Sequence, residues 1–149
     1  MALEIERKFL VKDDSYRSLA TGKREISQGY LSRVKERTVR VRIADQSAFI
    51  TIKGVNRGSV RHEFEYEIPV DDARQLLTLC APPVVVKTRH LVPWEGLTWE
   101  VDEFHGANEG LVVAEVELPD KTYEPSLPSF VGQEVTDDPK YYNSNLLKE

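Results

Sequence analysis

Cysteine is almost missing from this chain: Cys80 stands alone among 149 residues, which excludes an internal disulfide framework. Nothing around it is spaced like a metal site, and a lone thiol suits the reducing cytosol. Long apolar runs are missing too. None approaches the ~20 residues of a membrane-spanning helix, and Glu4, Glu6, Arg7 and Lys8 occupy the place where a secretory leader would need its apolar segment. There is no excess of basic residues. Lys and Arg number 20 against 25 Asp and Glu, a net charge of −5. That balance argues against nonspecific nucleic-acid binding but leaves room for a basic pocket that takes a small anion. No GxxxxGK[ST] loop is present, so a P-loop phosphate site is excluded. His62, His90 and His105 are scattered, match no metal-ligand spacing, and read as structural or surface residues. Repeats, low-complexity tracts and linkers are lacking, and the length fits one domain over residues 1–149. The expectation is a cytoplasmic protein with neither a membrane nor a nucleic-acid partner, a monomer or homodimer.

What the chain has in quantity is strict alternation of apolar and polar residues. LEIERKFLV (3–11) is followed by KREISQGYLS (23–32), RTVRVRIA (37–44), AFITIKG (48–54) and RHEFEYEIPV (61–70). PVVVKTRHLV (83–92), LTWEVDEF (97–104) and LVVAEVEL (111–118) complete the set. Short links such as DQS, GVNRGS and WEGL imply antiparallel hairpins. Helical signals are few. DDSYRSLA (13–20) would be a short helix capped by Asp13 or Asp14, and DDARQLLTLCA (71–81) opens on aspartates and stops at Pro82 and Pro83. TDDPKYYNSNLLK (136–148) has Pro139 in its first turn, a favoured helix opening. PDKTYEPSLPSF (119–130) reads as an ordered loop. Trp94 and Trp99 flank a turn and are expected to pack, as is Cys80.

The polar faces carry the chemistry. Alternation puts Glu4, Glu6 and Lys8 side by side, and does the same for Arg40 with Arg42 and for Lys87 with Arg89. Glu63 shares a face with Glu65, Glu100 with Asp102, and Glu115 with Glu117, while Lys53 follows Thr51. Ordinary solvated strand faces mix in Ser, Thr and Gln and avoid like charges two residues apart. Antiparallel strands of this kind can close into a barrel. Periodicity does not say which face is inside, but this density of charge favours a polar interior, which has a purpose only with a highly charged guest. Clustered arginines and lysines suit phosphate oxygens. Clustered carboxylates suit hard divalent cations such as Mg²⁺ or Mn²⁺. The combination points to a metal-dependent polyphosphate site inside a β-structure.

Glu4-x-Glu6-x-Lys8 resembles the signature of the CYTH superfamily, the triphosphate tunnel metalloenzymes. The resemblance runs through RVR (40–42), ITIKG around Lys53, EFEYE (63–67), VKTR (86–89), EVDEF (100–104), AEVE (114–117) and VTDDPKYYNSNL (135–146), the last as in the small bacterial members. It implies an eight-stranded antiparallel barrel with flanking helices, a C-terminal plug helix and a charged tunnel. It implies hydrolysis of inorganic triphosphate, with adenylate cyclase of class IV, thiamine triphosphatase or a non-catalytic polyphosphate-binding module as alternatives. Lys8, Arg40, Arg42, Lys53, Lys87 and Arg89 would bind phosphate, joined by Lys140 from the plug. Glu4, Glu6, Glu115 and Glu117 would hold Mg²⁺ or Mn²⁺. Glu63, Glu65, Glu100 and Asp102 would line the tunnel as metal shell or as partners of the basic residues. Tyr30 would either pair with Lys87 and assist proton transfer or pack at the barrel end.

Overall fold

A computed structural model describes residues 3–141. The alternating segments form β1 (Leu3–Val11), β2 (Gly22–Ser32), β3 (Thr38–Ala44), β4 (Ser47–Lys53), β5 (Val60–Ile68), β6 (Ala81–Trp94), β7 (Leu97–Phe104) and β8 (Val112–Glu117). A short β9 (Val131–Glu134) joins them, with α1 (Tyr16–Leu19) and α2 (Val70–Leu79) between strands. The sheet runs β5-β4-β3-β2-β6-β7-β8-β1-β9, every pair antiparallel, and a further β5–β1 pairing closes it into a barrel of the first eight strands. Tight turns use left-handed residues where hairpin twist requires them. Glu95 and Gly96 both have positive φ (50° and 81°), the two-residue turn that joins β6 to β7.

β1 is the seam. Glu6–Leu10 pair with β8, Leu3–Ile5 pair with β5, and beyond the reach of β5 its far end takes β9 instead, with Phe9 opposite Glu134 and Val11 opposite Val131.

The alternation resolves polar-inside. Apolar residues on the outer face of β1, β6, β7 and β8 make the largest cluster, with Trp99, Val92, Val101 and Phe130 fully buried beneath α1 and the 119–130 loop. Burying each aliphatic or phenyl side chain of this kind contributes ~1.5–3 kcal/mol. A second outer cluster, Val41 and Ala48 with Ala73 and Cys80, is covered by α2. Inside one part of the barrel, Val85, Phe104 and Val113 form a small apolar fill. The outer face of β4 and β5 is uncovered, with Ile52, Phe64 and Tyr66 at 37%, 43% and 59% exposure. No helix among the described residues is long and apolar enough to cross a membrane.

Four local expectations change. β9 appears where the sequence shows no strand, because four residues of VGQE carry too little alternation to be seen without their partner β1. α1 shrinks to one turn: Asp13 accepts from the Ser15 amide and hydroxyl, so the chain enters the helix at Ser15 rather than at an aspartate cap. α2 ends at Leu79 and β6 already begins at Ala81, so Pro82 and Pro83 lie at the start of a strand, where a missing amide is tolerated. Of the helix expected over 136–148, residues 142–148 lie outside the described residues, and Pro139–Tyr141 form a single 3₁₀ turn.

Candidate active site

A cavity of about 230 Å³ occupies the barrel interior. Because side chains alternate along each strand, β1 delivers Glu4, Glu6 and Lys8 to it, β3 delivers Arg40 and Arg42, and β4 delivers Lys53. Arg61, Glu63 and Glu65 come from β5, Arg89 from β6, Glu100 from β7, and Glu115 and Glu117 from β8. Tyr30 of β2, Asn56 and Ser59 of the β4–β5 connection, and Thr136 beyond β9 complete the wall.

Part of this charge is paired. Lys8 lies 3.0 Å from Glu115 and also donates to the Tyr141 carbonyl at 2.9 Å. Lys53 straddles both oxygens of Glu4 at 3.0 and 3.1 Å. Arg40 donates to Thr51 at 3.2 Å, and Thr51 donates in turn to Glu65 at 2.8 Å. Arg42 donates through Nε to the fully buried Gln28 at 2.8 Å. Arg89 grips Asp102 with two hydrogen bonds, 2.8 and 3.0 Å, and approaches Glu100 at 3.3 Å.

The rest is not paired. Glu6 and Glu117 stand directly opposite each other in the β1–β8 register, and among the described residues neither side chain makes an ion pair or a hydrogen bond. Like charges in that position repel. Burial, reinforced by Glu115 and Glu4 and opposed by Lys53 and Lys8, pushes the Glu6 carboxyl up to about 8. Burial and the charges of Glu4 and Glu100 raise Glu117 as well, and burial with Glu4 raises Glu63. Across the cavity, burial together with Arg40 and Arg89 pulls Arg42 down to about 9. Glu6 and Glu117 are therefore carboxylates short of a cation, and Arg42, whose Nε meets only the Gln28 amide oxygen, is a guanidinium short of an anion.

Of the residues expected at the site, Lys87, Asp102 and Lys140 do not line the cavity. Lys87 and Asp102 are buried and joined at 2.6 Å, with Arg89 holding the same carboxylate. Burial lowers Lys87 to about 7 despite the opposing charge of Asp102, with Arg89 and Arg42 adding to the fall. Burial alone would raise Asp102, but Arg89 and Lys87 together hold it well below the usual carboxylate range. Among the described residues Lys87 is bonded to Asp102 and not to Tyr30. Lys140 is exposed, with Nζ 5.5 Å from the Tyr141 ring centroid.

Arg61, Asn56, Ser59, Thr136 and Gln28 were not foreseen. Arg61 shares the inward parity of Glu63 and Glu65, so the same alternation points to it. The loop residues and Thr136 leave no periodic signal.

The acid set fits a hard divalent cation by its chemistry: every donor is a carboxylate oxygen, and Glu6 and Glu117 are side by side without a partner. Among the described residues no three such groups already close around one point, because Glu4 and Glu115 are turned toward Lys53 and Lys8.

A closed antiparallel barrel whose lumen interleaves carboxylates with guanidinium and ammonium groups, some of each left without a partner, defines a class of protein that takes a polyanion together with a cation. The chain belongs to the CYTH domain family, which it matches over residues 2–145. It is similar to an inorganic triphosphatase of Acetivibrio thermocellus, 50% identical over 149 residues that span 99% of this chain and 95% of that protein. It is also similar to an inorganic triphosphatase of Nitrosomonas europaea, 32% identical over 96% of this chain and 95% of that one. A solved structure of an inorganic triphosphatase superposes with a TM-score of 0.66 at 30% identity, covering 98% of this chain and 95% of that chain.

Proposed function

We propose that this protein hydrolyses inorganic triphosphate inside its barrel, with Mg²⁺ or Mn²⁺ held by Glu4, Glu6, Glu115 and Glu117. The observation that carries the reading is the Glu6–Glu117 pair, two facing carboxylates without a cation, in one cavity with five basic side chains of β1, β3, β4 and β6. Both relatives named above are inorganic triphosphatases over nearly the full length of this chain. The wall also favours an inorganic substrate. Tyr30 is the sole aromatic side chain lining the cavity among the described residues, so there is no apolar platform for a base or a thiazolium ring.

Phosphoryl transfer asks a protein mainly for positioning and electrostatics. Arg40, Arg42 and Arg89 offer planar forks, and Lys8 and Lys53 offer point charges, to the non-bridging oxygens. Asp102 stays ionised behind them and fixes Arg89 in the orientation that presents its remaining N–H groups to the cavity. Lys87, lowered to about 7 by burial, is bonded to the same Asp102 carboxylate behind Arg89, so it serves the site through Asp102, and a role in proton transfer with Tyr30 would require it to leave that partner. A divalent ion in the carboxylate set supplies neutralisation of phosphate charge.

The decisive experiment offers tripolyphosphate, ATP and thiamine triphosphate to the purified protein with Mg²⁺, with Mn²⁺ and with EDTA. Orthophosphate and pyrophosphate should appear from tripolyphosphate, faster than from either organic substrate, and EDTA should stop the reaction. Glu6→Gln should lower the rate by on the order of a hundredfold or more while circular dichroism stays unchanged. Cyclic AMP as the main product from ATP, or tight binding without turnover, would overturn the reading in favour of a cyclase or a polyphosphate-binding module.

A further inference from the structure

We infer that Arg61 is a further phosphate-binding residue, gripping the outermost phosphate of a linear polyphosphate at the rim where the β4–β5 connection meets the cavity. The inference rests on the triphosphatase reading and extends it to where the substrate chain ends.

Arg61 lies opposite Glu4 in the β1–β5 register and points inward with Glu63 and Glu65. Its side chain is only 20% exposed. Yet among the described residues its guanidinium makes no hydrogen bond, and its buried Nε has no acceptor. The one carboxylate in range, Glu4, is 3.7 Å from Nε, beyond hydrogen-bond distance. Glu4 does not need it either, since Lys53 already occupies both Glu4 oxygens.

Arginines that hold this barrel together look different. Arg7 closes a two-pronged pair with Glu134 at 2.9 and 2.7 Å, and Arg89 does the same with Asp102. A half-buried guanidinium costs stability when its donors stay unmatched, so an acceptor from outside the chain is the missing element. Planar donor forks pair best with carboxylate or phosphate oxygens. In a wall already crowded with carboxylates, phosphate is the guest that fits. Ser59 and Asn56 line the same rim. This places Arg61 at the end of the substrate nearest the connection, so it should sense the length of the chain.

The test is calorimetric titration of tripolyphosphate and of pyrophosphate, in EDTA to prevent turnover, into the wild type, Arg61→Ala and Arg61→Lys. Arg61→Ala should weaken tripolyphosphate binding by about tenfold or more, the worth of one charged hydrogen-bonded contact, and pyrophosphate binding by less than about twofold. Arg61→Lys should recover part of the loss, and in Mg²⁺ the change should fall on KM rather than on kcat. Equal weakening of both ligands, or none, overturns the role of Arg61 while the triphosphatase reading stands. A wild type that binds neither ligand in EDTA and does not cleave tripolyphosphate in Mg²⁺ overturns that reading, and the role of Arg61 with it.

Discussion

Glu6 has Glu115 and Glu4 as its strongest charged neighbours, and their charge adds to burial in lifting its carboxyl from 4.5 to about 8. The folded protein therefore keeps a proton that the unfolded chain has lost between those two values. Stability contributed by this group is full below pH 4.5 and is lost as pH rises through 8. Glu6→Gln removes the titration. Its melting temperature should match that of the wild type near pH 4.5 and exceed it by several degrees at pH 9, as a thermal melt series would read. A variant that melts below the wild type at pH 9 would mean that Glu6 already has a partner. Lys87 works in the opposite direction: lowered from 10.5 to about 7, it adds stability as pH climbs across that range, and the Gln variant should retain this rise. Cation binding must displace the Glu6 proton, so metal affinity should tighten with pH up to about 8 and calorimetry in buffers of different ionisation enthalpy should show proton release.

At the scale of the element, α2 meets the barrel through a missing atom. A Cβ on Gly29 would lie 2.9 Å from Cys80 Cβ, 3.1 Å from its Sγ and 3.4 Å from a Leu77 methyl. Gly29→Ala should push the C-terminal end of α2 off β2 at a cost of ~1–3 kcal/mol, seen as a lower urea midpoint. Activity measured well below that midpoint should stay near wild type, because Gly29 does not line the cavity. The strands of the barrel were legible in the sequence because each faces charge on one side and an apolar cover on the other, and that contrast is what alternation records. β9 was not legible, since its place depends on how far β5 reaches along β1. The partner of Lys87 was hidden for a related reason. Parity says that Lys87, Tyr30 and Asp102 all point inward, but only the β6–β7 register and the barrel's closure put Asp102 within 2.6 Å. Arg61 was within reach of the same parity argument that found Glu63.

At the scale of the whole molecule, a lumen that holds its charges with incomplete pairing is a structure stabilised by what it binds. A ligand at a hundred times its dissociation constant adds ~2.7 kcal/mol, or roughly 5–10 °C in melting temperature for a chain of this size. Tripolyphosphate with Mg²⁺ should produce a shift of that order, and EDTA should remove most of it. An equal shift from sulfate at the same concentration would mean that the basic wall does not discriminate. The seam position of β1 has a consequence during synthesis. Lys8 and its contact Thr136 are 128 residues apart, so at ~5–20 residues per second a ribosome needs roughly 6–25 s to deliver one after the other. Through that interval β1 is an emerged strand with unmet edges, the kind of segment that pairs with a neighbouring nascent chain. Glu4, Glu6 and Lys8 put charge along most of one face of it. Charge at these positions would disfavour such pairing, a second use for residues proposed to meet a phosphate and a cation in the finished barrel.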